Sequence, residues 1–408
     1  MVSSLPRPSR VALQGDSMPN PDNGSQHTGS GIRSSQMDVK IFSTCPPLGS
    51  IPTAEYSKAV ADAARWSEKY GCTGMLVYTD NCQVDPWLVS QIIIQSTLQL
   101  GPLVAVQPVY MHPYTVAKMV CSLSVLFGRR IHLNLVAGGF KNDLTALNDP
   151  TPHDERYERL IEYATIIKGL LVDQDAITFQ GKFYRVDKLK MTPPLPDALF
   201  PGVLISGSSE AGLSAARLLG AVPILYAKPA NDSLSTAVNT GGHFGIRIGV
   251  IARPREEEAW KEAHQKFPKE KKGKMMHGLA MKVSDSVWHH ELSSTIEENK
   301  TTCSCYWLAP FENYKTFCPY LVGSYEQVGE ELARYLGLGC RTYILDVPSC
   351  EQDLHHARIA FNLACDKVPL AEYEPSTFPA PVSCEGDLVS PPAHVSTGLP
   401  KRQSQASR

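Results

Sequence analysis

The chain of 408 residues lacks any long apolar run. A helix needs about 20 consecutive, mostly apolar residues to cross a bilayer, and no stretch approaches that length. The N-terminus also lacks the apolar segment of a secretory signal peptide. From the sequence we therefore expect a cytoplasmic protein without a membrane partner.

An excess of charge of one sign is absent as well. The chain has 39 Lys and Arg against 41 Asp and Glu, for a net charge of −2. This balance offers no electrostatic basis for binding nucleic acid or an anionic membrane. One local exception is the lysine cluster from Lys266 to Lys274. We interpret it as a solvated loop, because charge runs usually mark exposed segments.

The cysteines lack the spacing of a zinc site. Their number is odd, at 11, which is typical of reduced cytosolic thiols rather than a disulfide framework. Cys303 and Cys305 form a C-x-C pair, which alone is weak support for metal binding. The sequence therefore predicts no metal site.

Large apolar residues are scarce at both ends of the chain. Residues 1–36 are rich in Ser, Pro, Gly and Asn, and residues 374–408 are rich in Pro and Ser. Such segments bury too little apolar surface to fold. We expect a disordered extension at 1–36, one folded domain at 37–373 and a disordered tail at 374–408.

Within the predicted domain, short apolar runs rich in β-branched residues alternate with helical patterns. The strand-like runs are Val39–Thr44, Met75–Thr79, Leu103–Pro108, His132–Val136, Val203–Ser206, Val222–Tyr226, Gly245–Ala252 and Thr342–Val347. This alternation predicts an α/β fold, a (β/α)8 TIM barrel with long insertions at its C-terminal rim. A doubly wound sheet is disfavoured, because no Gly-x-Gly-x-x-Gly follows the first strand.

Two segments are too long for a minimal barrel. Residues 172–201 include Phe179–Tyr184, which reads as a small hairpin. Residues 267–321 carry eight aromatic side chains. Long loops are usually functional or disordered, and this aromatic content argues against disorder. We therefore predict that residues 267–321 form an ordered lid over the barrel mouth.

Polar residues occur where two of the predicted strands end. Asn134 interrupts an apolar run that leads to Gly138 and Gly139. A buried amide needs partners, so Asn134 is either a ligand contact or a satisfied core residue. Ser208 and Ser209 lie where the fifth strand turns into a helix. They could hold a phosphate at the helix N-terminus or simply cap the helix.

Four short motifs occur in a fixed order along the predicted domain. They are Asn134-Leu-Val-Ala-Gly-Gly139, His153-Asp-Glu-Arg-Tyr157, Ile205-Ser-Gly-Ser-Ser209 and Leu321-Val-Gly-Ser-Tyr-Glu326. Together they resemble the bacterial luciferase-like, flavin-dependent monooxygenases, most closely the alkanesulfonate monooxygenase branch. The resemblance implies a TIM barrel, reduced FMN from a separate flavin reductase, and dioxygen. It also implies a C4a-(hydro)peroxyflavin, insertion of one oxygen atom, and a homodimer or homotetramer.

The resemblance further implies a set of cofactor-binding residues. These are Asn134, Asp143, Arg156, Tyr157, Ser208 and Ser209. In it, the two serines hold the flavin phosphate and Asn134 contacts the ring. Arg156 and Tyr157 match a pair that contacts flavin, although the residues alone would equally fit a surface helix start.

The sequence departs from the alkanesulfonate branch at substrate positions. The cysteine of that branch corresponds to Gln83, with Cys82 beside it, and its Arg-x-His appears as Arg247-Ile-Gly249. Tyr226 takes the place of a tryptophan. A sulfonate favours several fixed positive donors, so we leave the substrate open.

Four residues are candidates for catalysis, each with a structural alternative. Arg247 could lie beside an anion or peroxide, or form a structural ion pair. Tyr226 could help set the protonation state at that site. His112 could be an acid or base, or a structural histidine. Cys82 could be reactive, or a small buried apolar residue.

The leading functional hypothesis is a two-component monooxygenase that uses reduced FMN and dioxygen. Its substrate would be an organic small molecule, with a carrier-bound intermediate as the speculative case. An F420-dependent oxidoreductase of the same barrel family is one alternative. A non-catalytic flavin-binding partner subunit is the other.

Overall fold

The computed structural model describes residues 39–172, 175–229, 243–268, 305–313 and 315–368. Several predictions fall outside these ranges. They are the two ends predicted to be disordered, the lysines from Lys269 to Lys274, the thiol of Cys303, and Trp288 and Tyr314 of the predicted lid.

Twelve strands lie in the described part of the chain. They are β1 (Lys40–Thr44), β2 (Gly74–Val77), β3 (Gly101–Val106), β4 (His132–Leu135), β5 (Ile177–Gln180), β6 (Arg185–Leu189), β7 (Val203–Ser206), β8 (Val222–Tyr226), β9 (Phe244–Arg253), β10 (Tyr306–Trp307), β11 (Tyr320–Ser324) and β12 (Cys340–Leu345).

Ten α-helices accompany these strands in the same described ranges. They are α1 (Tyr56–Lys69), α2 (Pro86–Ser96), α3 (Pro113–Phe127), α4 (Lys141–Ala146), α5 (His153–Val172), α6 (Glu210–Leu219), α7 (Glu256–Lys266), α8 (Ala309–Glu312), α9 (Tyr325–Gly337) and α10 (Glu351–Lys367).

Eight parallel strands close into a barrel, in the order β1, β2, β3, β4, β7, β8, β9 and β12. Closure is made by β12, which pairs with β9 on one side and β1 on the other. The predicted TIM barrel is confirmed, and each of its eight predicted strands overlaps an observed one. The strands could be predicted because helices cover the outer face of the barrel, so that the strand residues are mostly apolar. Strands β2 and β3 are buried along their whole length.

Side chains from the barrel strands fill its interior. Phe42, Leu76, Leu103, Ala105, Leu204, Ile224 and Ile344 form one buried cluster. Six of the eight strands contribute to it, as expected for a packed barrel core. The interior is therefore closed by apolar groups, and polar strand residues can gather only at its ends.

Helix α10 was not predicted from the sequence. It buries Leu354, Ala357, Phe361 and Ala364, whose spacing follows one face of a helix. It packs against α9 and β9. The signal was therefore present, although short alanine side chains weaken the apolar pattern.

The first insertion is the predicted hairpin, formed by antiparallel β5 and β6. The Glu162 carboxylate on α5 anchors it by accepting the backbone N–H groups of Lys182, Phe183 and Tyr184 at 2.7, 2.8 and 3.0 Å. The hairpin is thus fixed to the outside of the barrel.

The second insertion only partly matches the predicted lid. Strand β11 pairs in parallel with the second half of β9, and β10 pairs antiparallel to β11. Tyr306, Phe311 and Tyr320 are buried in this layer. Among the described aromatics of the insertion, Phe317 alone lines the barrel mouth. Most of the described aromatic residues assigned to a lid are therefore core, because the added strand needs its own apolar packing.

No described helix combines the length and the apolarity that a bilayer span requires.

His132, at the start of β4, is buried with a lowered pKa. Its Nδ1 accepts the Gly202 backbone N–H at 3.2 Å, and its ring packs edge-on against Phe42. Burial, and then the positive charges of Arg130 and Lys40, lower the pKa of His132 to about 3. The unfolded chain takes up this proton below about pH 6.5, whereas the folded chain does so only near pH 3. Stability is therefore lost as pH falls through that window.

We expect this effect to be measurable against His132→Asn. Between about pH 7.5 and about pH 5, the wild type should lose about 2 kcal/mol more unfolding free energy than the variant, at about 1.4 kcal/mol per pH unit. Asparagine keeps an acceptor for the Gly202 N–H but does not titrate. Urea unfolding at the two pH values measures the difference, and an equal loss in both proteins would contradict the assignment.

Candidate active site

A cavity of about 290 Å³ opens at the C-terminal end of the barrel. Active sites of TIM barrels lie at this end. The volume is at the lower end of the ~300–1,000 Å³ range of small-molecule sites. A second cavity of about 520 Å³ lies beside α1 and shares Pro47, Lys315, Asp346 and Val347 with the first. The smaller cavity is the candidate active site, because the polar ends of the barrel strands point into it.

Asn134 presents a donor to this cavity from β4. Its side chain is 4% exposed, and its Oδ1 accepts the hydroxyl of Ser206 at 2.9 Å. In this orientation its NH₂ has no partner among the described residues and is available to a ligand. The alternative that Asn134 is a fully satisfied core residue holds only for its oxygen. The amide hydrogens have no hydrogen-bond acceptor in the described structure. Ser206 was missed by sequence reasoning, although a polar residue at the end of an apolar strand is a signal.

Tyr157 enters the cavity from the first turns of α5. Its hydroxyl lies against Gly207, where a Cβ would approach the Tyr157 oxygen to 2.4 Å. Burial raises the pKa of Tyr157, and a hydrogen bond with Ser209 works against that rise. The phenol is therefore a neutral donor at neutral pH. The ring of His153, which also lines the cavity, packs edge-on against it at 5.3 Å.

Ser208 and Ser209 have different roles at the start of α6. Ser209 caps the helix, because its Oγ accepts the Gly212 backbone N–H at 3.2 Å. Ser208 lines the cavity, and its buried Oγ has no hydrogen-bond partner in the described structure. A buried hydroxyl beside the N-terminus of a ten-residue helix is suited to bind an anion.

Arg247 and Tyr226 are register partners on β9 and β8. The guanidinium lies 4.9 Å from the centre of the Tyr78 ring, and its Nη2 is 3.8 Å from Asp346 Oδ1. Its Nε and Nη2 are buried and make no hydrogen bond to the described residues. Burial, and then electrostatic interaction with Cys318 and Asp346, raise the pKa of Tyr226 well above its ordinary value. The pair thus combines a fixed cation with a neutral phenol.

Asp346 is a site residue that sequence reasoning missed. It follows β12 and accepts the hydroxyl of Tyr320 at 2.7 Å, as well as that of Thr316. Thr316 also lines the cavity. The carboxylate therefore ties the end of the second insertion to the barrel rim next to Arg247. Its signal in the sequence was its place directly after an apolar strand.

The other four predicted site residues do not line the cavity. Cys82 is exposed, and the adjacent Gln83 faces the cavity instead. His112 caps α3 through its Nδ1, which accepts the Tyr114 N–H at 3.2 Å. The Asp143 carboxylate accepts the Asn81 backbone N–H at 3.4 Å.

Arg156 is buried and donates to the Thr151 carbonyl at 3.1 Å. Successive helix residues point about 100° apart, so Tyr157 faces the cavity while its neighbour does not. The structure thus brings together six of the ten predicted residues, Asn134, Tyr157, Ser208, Ser209, Tyr226 and Arg247.

Comparisons with known proteins agree with this architecture. The luciferase-like monooxygenase family model matches residues 37–342. The 4-(gamma-L-glutamylamino)butanoyl-[BtrI acyl-carrier protein] monooxygenase of Niallia circulans is 34% identical over 312 residues, which are 75% of this chain and 91% of that protein.

Solved structures share the fold at low sequence identity. A riboflavin lyase with modified FMN and riboflavin has a TM-score of 0.65 at 16% identity, covering 83% of this chain and 94% of its own. An F420-dependent secondary alcohol dehydrogenase has a TM-score of 0.56 at 16% identity, covering 80% and 99%. The family match spans most of the barrel, and the curated relative is matched over nearly its whole length. The chain therefore belongs to the luciferase-like monooxygenase family of enzymes.

Proposed function

We propose that this enzyme is a two-component monooxygenase that uses reduced FMN and dioxygen to oxygenate a carrier-bound organic acyl group. The proposal is carried by one observation. A buried, unpartnered Ser208 hydroxyl and the amide of Asn134 line the same cavity as a buried Arg247. This places an anion-binding end, a donor for a flat polar ligand and a fixed cation around one space.

The residues present fit FMN. Ser208 and the first backbone N–H groups of α6 would hold its phosphate. Asn134 and Tyr157 would donate to its polar ring edge, and the missing side chain of Gly207 leaves room for the Tyr157 hydroxyl. Bound reduced FMN would supply the electrons that activate dioxygen, one atom of which enters the substrate.

Apolar side chains and a few polar groups surround the space in which this reaction would occur. Leu76, Ile224 and Ile344 form the apolar floor of the cavity, and Phe317 stands at its mouth. Excluding water strengthens the interaction of the Arg247 guanidinium with negative charge on oxygen. Tyr226, kept neutral by burial, can donate a hydrogen bond on the same side.

The curated relative supports the proposed substrate class, because its name specifies an acyl group on a carrier protein. Two probes test it. The first is the 4-(gamma-L-glutamylamino)butanoyl thioester of phosphopantetheine, here the probe thioester. The second is the same acyl group on the BtrI acyl-carrier protein, here the probe carrier. The separate flavin reductase, the homodimer or homotetramer and the cytoplasmic location stay predictions.

The phosphate assignment predicts a loss of flavin affinity. Replacing both Ser208 and Ser209 with Ala should weaken the binding of reduced FMN by about 1–3 kcal/mol, because charged hydrogen bonds are lost. Most of the loss should come from Ser208→Ala, since Ser209 caps the helix. Anaerobic fluorescence titration measures it, with Ser57→Ala on the exposed face of α1 as the control. Unchanged affinity in the double variant would mean that the phosphate lies elsewhere.

Cofactor identity is tested by titrating reduced FMN and reduced F420 in parallel without oxygen. We expect tight binding of FMN. Binding of F420 alone would overturn the oxygenase proposal. Admitting ¹⁸O₂ in the presence of the probe thioester should then place one labelled atom in the product. A protein that binds FMN but turns over neither probe with any reductase would fit the partner-subunit alternative.

A further inference from the structure

We propose that the larger cavity beside the barrel mouth holds the phosphopantetheine arm of the substrate carrier. This inference rests on the proposed function and assigns a second site to it. The cavity, of about 520 Å³, lies between α1 and the loops that follow β1 and β12, and we call it the arm groove. Among the residues that line it are Ile51, Ala59, Trp66, Phe267 and Pro348.

The arm groove is continuous with the active-site cavity. Pro47, Lys315, Asp346 and Val347 line both spaces. Asp346 in turn lies 3.8 Å from the Arg247 guanidinium. A chain that runs along the groove therefore enters the cavity on the side of Arg247, where the oxygenated centre would be placed.

The strand order places this entrance away from the flavin-binding residues. In the closed barrel β12 and β4 are four strands apart in either direction, so they lie on opposite sides. The groove opens beside β12, whereas Asn134 projects from β4 and Ser208 follows β7. An acyl chain and FMN could thus enter from different sides and meet across the cavity without competing.

The chemistry of the groove suits a neutral, flexible chain. Lys58 pairs with Asp62 at 2.6 Å and Lys266 with Asp353 at 3.0 Å, so these lysines are already neutralised. With Glu55, Lys315 and Asp346, the groove is lined by three carboxylates and three lysines in all, and the rest of its wall is mainly apolar, with Trp66 as its largest ring. Pantetheine, with two amides and a branched apolar centre, matches this mixture better than a compact anion does.

The phosphate of the arm would stay at the outer end. Lys58, with its side chain 79% exposed, marks that rim of the groove. A carrier protein and coenzyme A both present a phosphopantetheine, so the groove by itself recognises the chemistry that they share. The carrier is the source that we propose, in line with the substrate class proposed above.

Binding of free 4′-phosphopantetheine tests the groove without requiring turnover. Calorimetry should show binding to the wild type and at least a tenfold loss of affinity in Ala59→Trp, whose indole would fill the groove from α1. Ala59→Ser, with nearly unchanged volume, should bind as the wild type does. FMN affinity should stay within twofold in all three proteins. No binding to the wild type, or equal binding to Ala59→Trp, would overturn the inference.

Turnover then separates this inference from the proposed function. The probe thioester should have a KM at least tenfold higher in Ala59→Trp, and the N-acetylcysteamine thioester of the same acyl group should show no such change. If the thioesters are oxygenated but the two proteins do not differ, the groove assignment fails and the oxygenase assignment stands. If phosphopantetheine binds in the groove but no thioester is oxygenated, the substrate proposal fails and the groove assignment stands.

The source of the arm is tested by comparing two substrates that carry the same acyl group. A lower KM for the probe carrier than for the coenzyme A thioester supports the carrier, and the reverse order overturns it.

Discussion

Arg247→Met should lower the yield of oxygenated product by about 10²- to 10³-fold, the usual effect of removing one preorganised donor from an active site. The guanidinium is 7% exposed, and two of its nitrogens have no hydrogen-bond acceptor in the described structure. It is thus held ready for negative charge that arises only during the reaction. Methionine keeps apolar contact with Tyr78 but supplies no charge. The yield is measured as product formed from the probe thioester per reduced FMN oxidised.

Two further variants define what Arg247 contributes. Arg247→Lys should restore part of the yield, because a charge returns without the planar fork of donors. Arg255→Met removes an exposed arginine paired with Glu258 and should behave as the wild type. FMN affinity should stay within about threefold in every variant, a factor worth well under the 1.4 kcal/mol of a tenfold change. A normal product yield from Arg247→Met would restrict this residue to a structural ion pair with Asp346.

Gly207→Ala should abolish tight FMN binding, with a loss of affinity above tenfold. The added methyl would lie 2.4 Å from the Tyr157 hydroxyl, closer than any real contact, and the phenol is buried in the core between α5 and the barrel. Either the ring or the turn after β7 must move, which displaces both Tyr157 and the Ser208 end of the cavity. Overpacking of this kind typically costs about 1–3 kcal/mol of stability, so the barrel should still fold. Flavin fluorescence measures the affinity, and circular dichroism verifies the fold.

A double variant tests the geometry behind this expectation. Tyr157→Phe removes the oxygen that the new methyl would meet, so adding it to Gly207→Ala should recover part of the stability. Coupling between the two changes is expected because the residues are in contact. Gly337→Ala is the matched control, since a Cβ there meets no atom within 4 Å. Purely additive effects would mean that the hydroxyl does not occupy the space beside Gly207.

The barrel could be predicted because burial on both faces removes polar residues from its strands. Runs such as Leu103–Val106 therefore stand out from the amphipathic helices around them. Prediction failed for elements whose apolar pattern is less distinct. Helix α10 was overlooked because alanines form much of its buried face. The aromatic insertion was assigned to a lid, although most of its described rings pack against an added strand.

The candidate site was predictable where local sequence carries the signal. Asn134 interrupts an apolar strand, Ser208 follows another, and both line the cavity. A linear sequence does not tell neighbouring positions apart. Gln83 faces the cavity while Cys82 is exposed, and Tyr157 enters it while Arg156 packs beneath. Which of two adjacent side chains reaches a ligand depends on the rotation of the element that carries it.

The order of strands and helices, and with it the barrel, was determined by the amino-acid sequence alone, because each element's pattern of apolar residues is local. The tertiary structure decided which polar groups meet. Arg247 lies in β9 and Asp346 directly after β12, far apart in the chain, and the β9–β12 pairing that closes the barrel brings them to 3.8 Å. The continuity of the arm groove with the cavity likewise depends on how α1 packs beside the loop after β12. Such contacts arise from long-range packing and strand register, which leave no local pattern in the sequence.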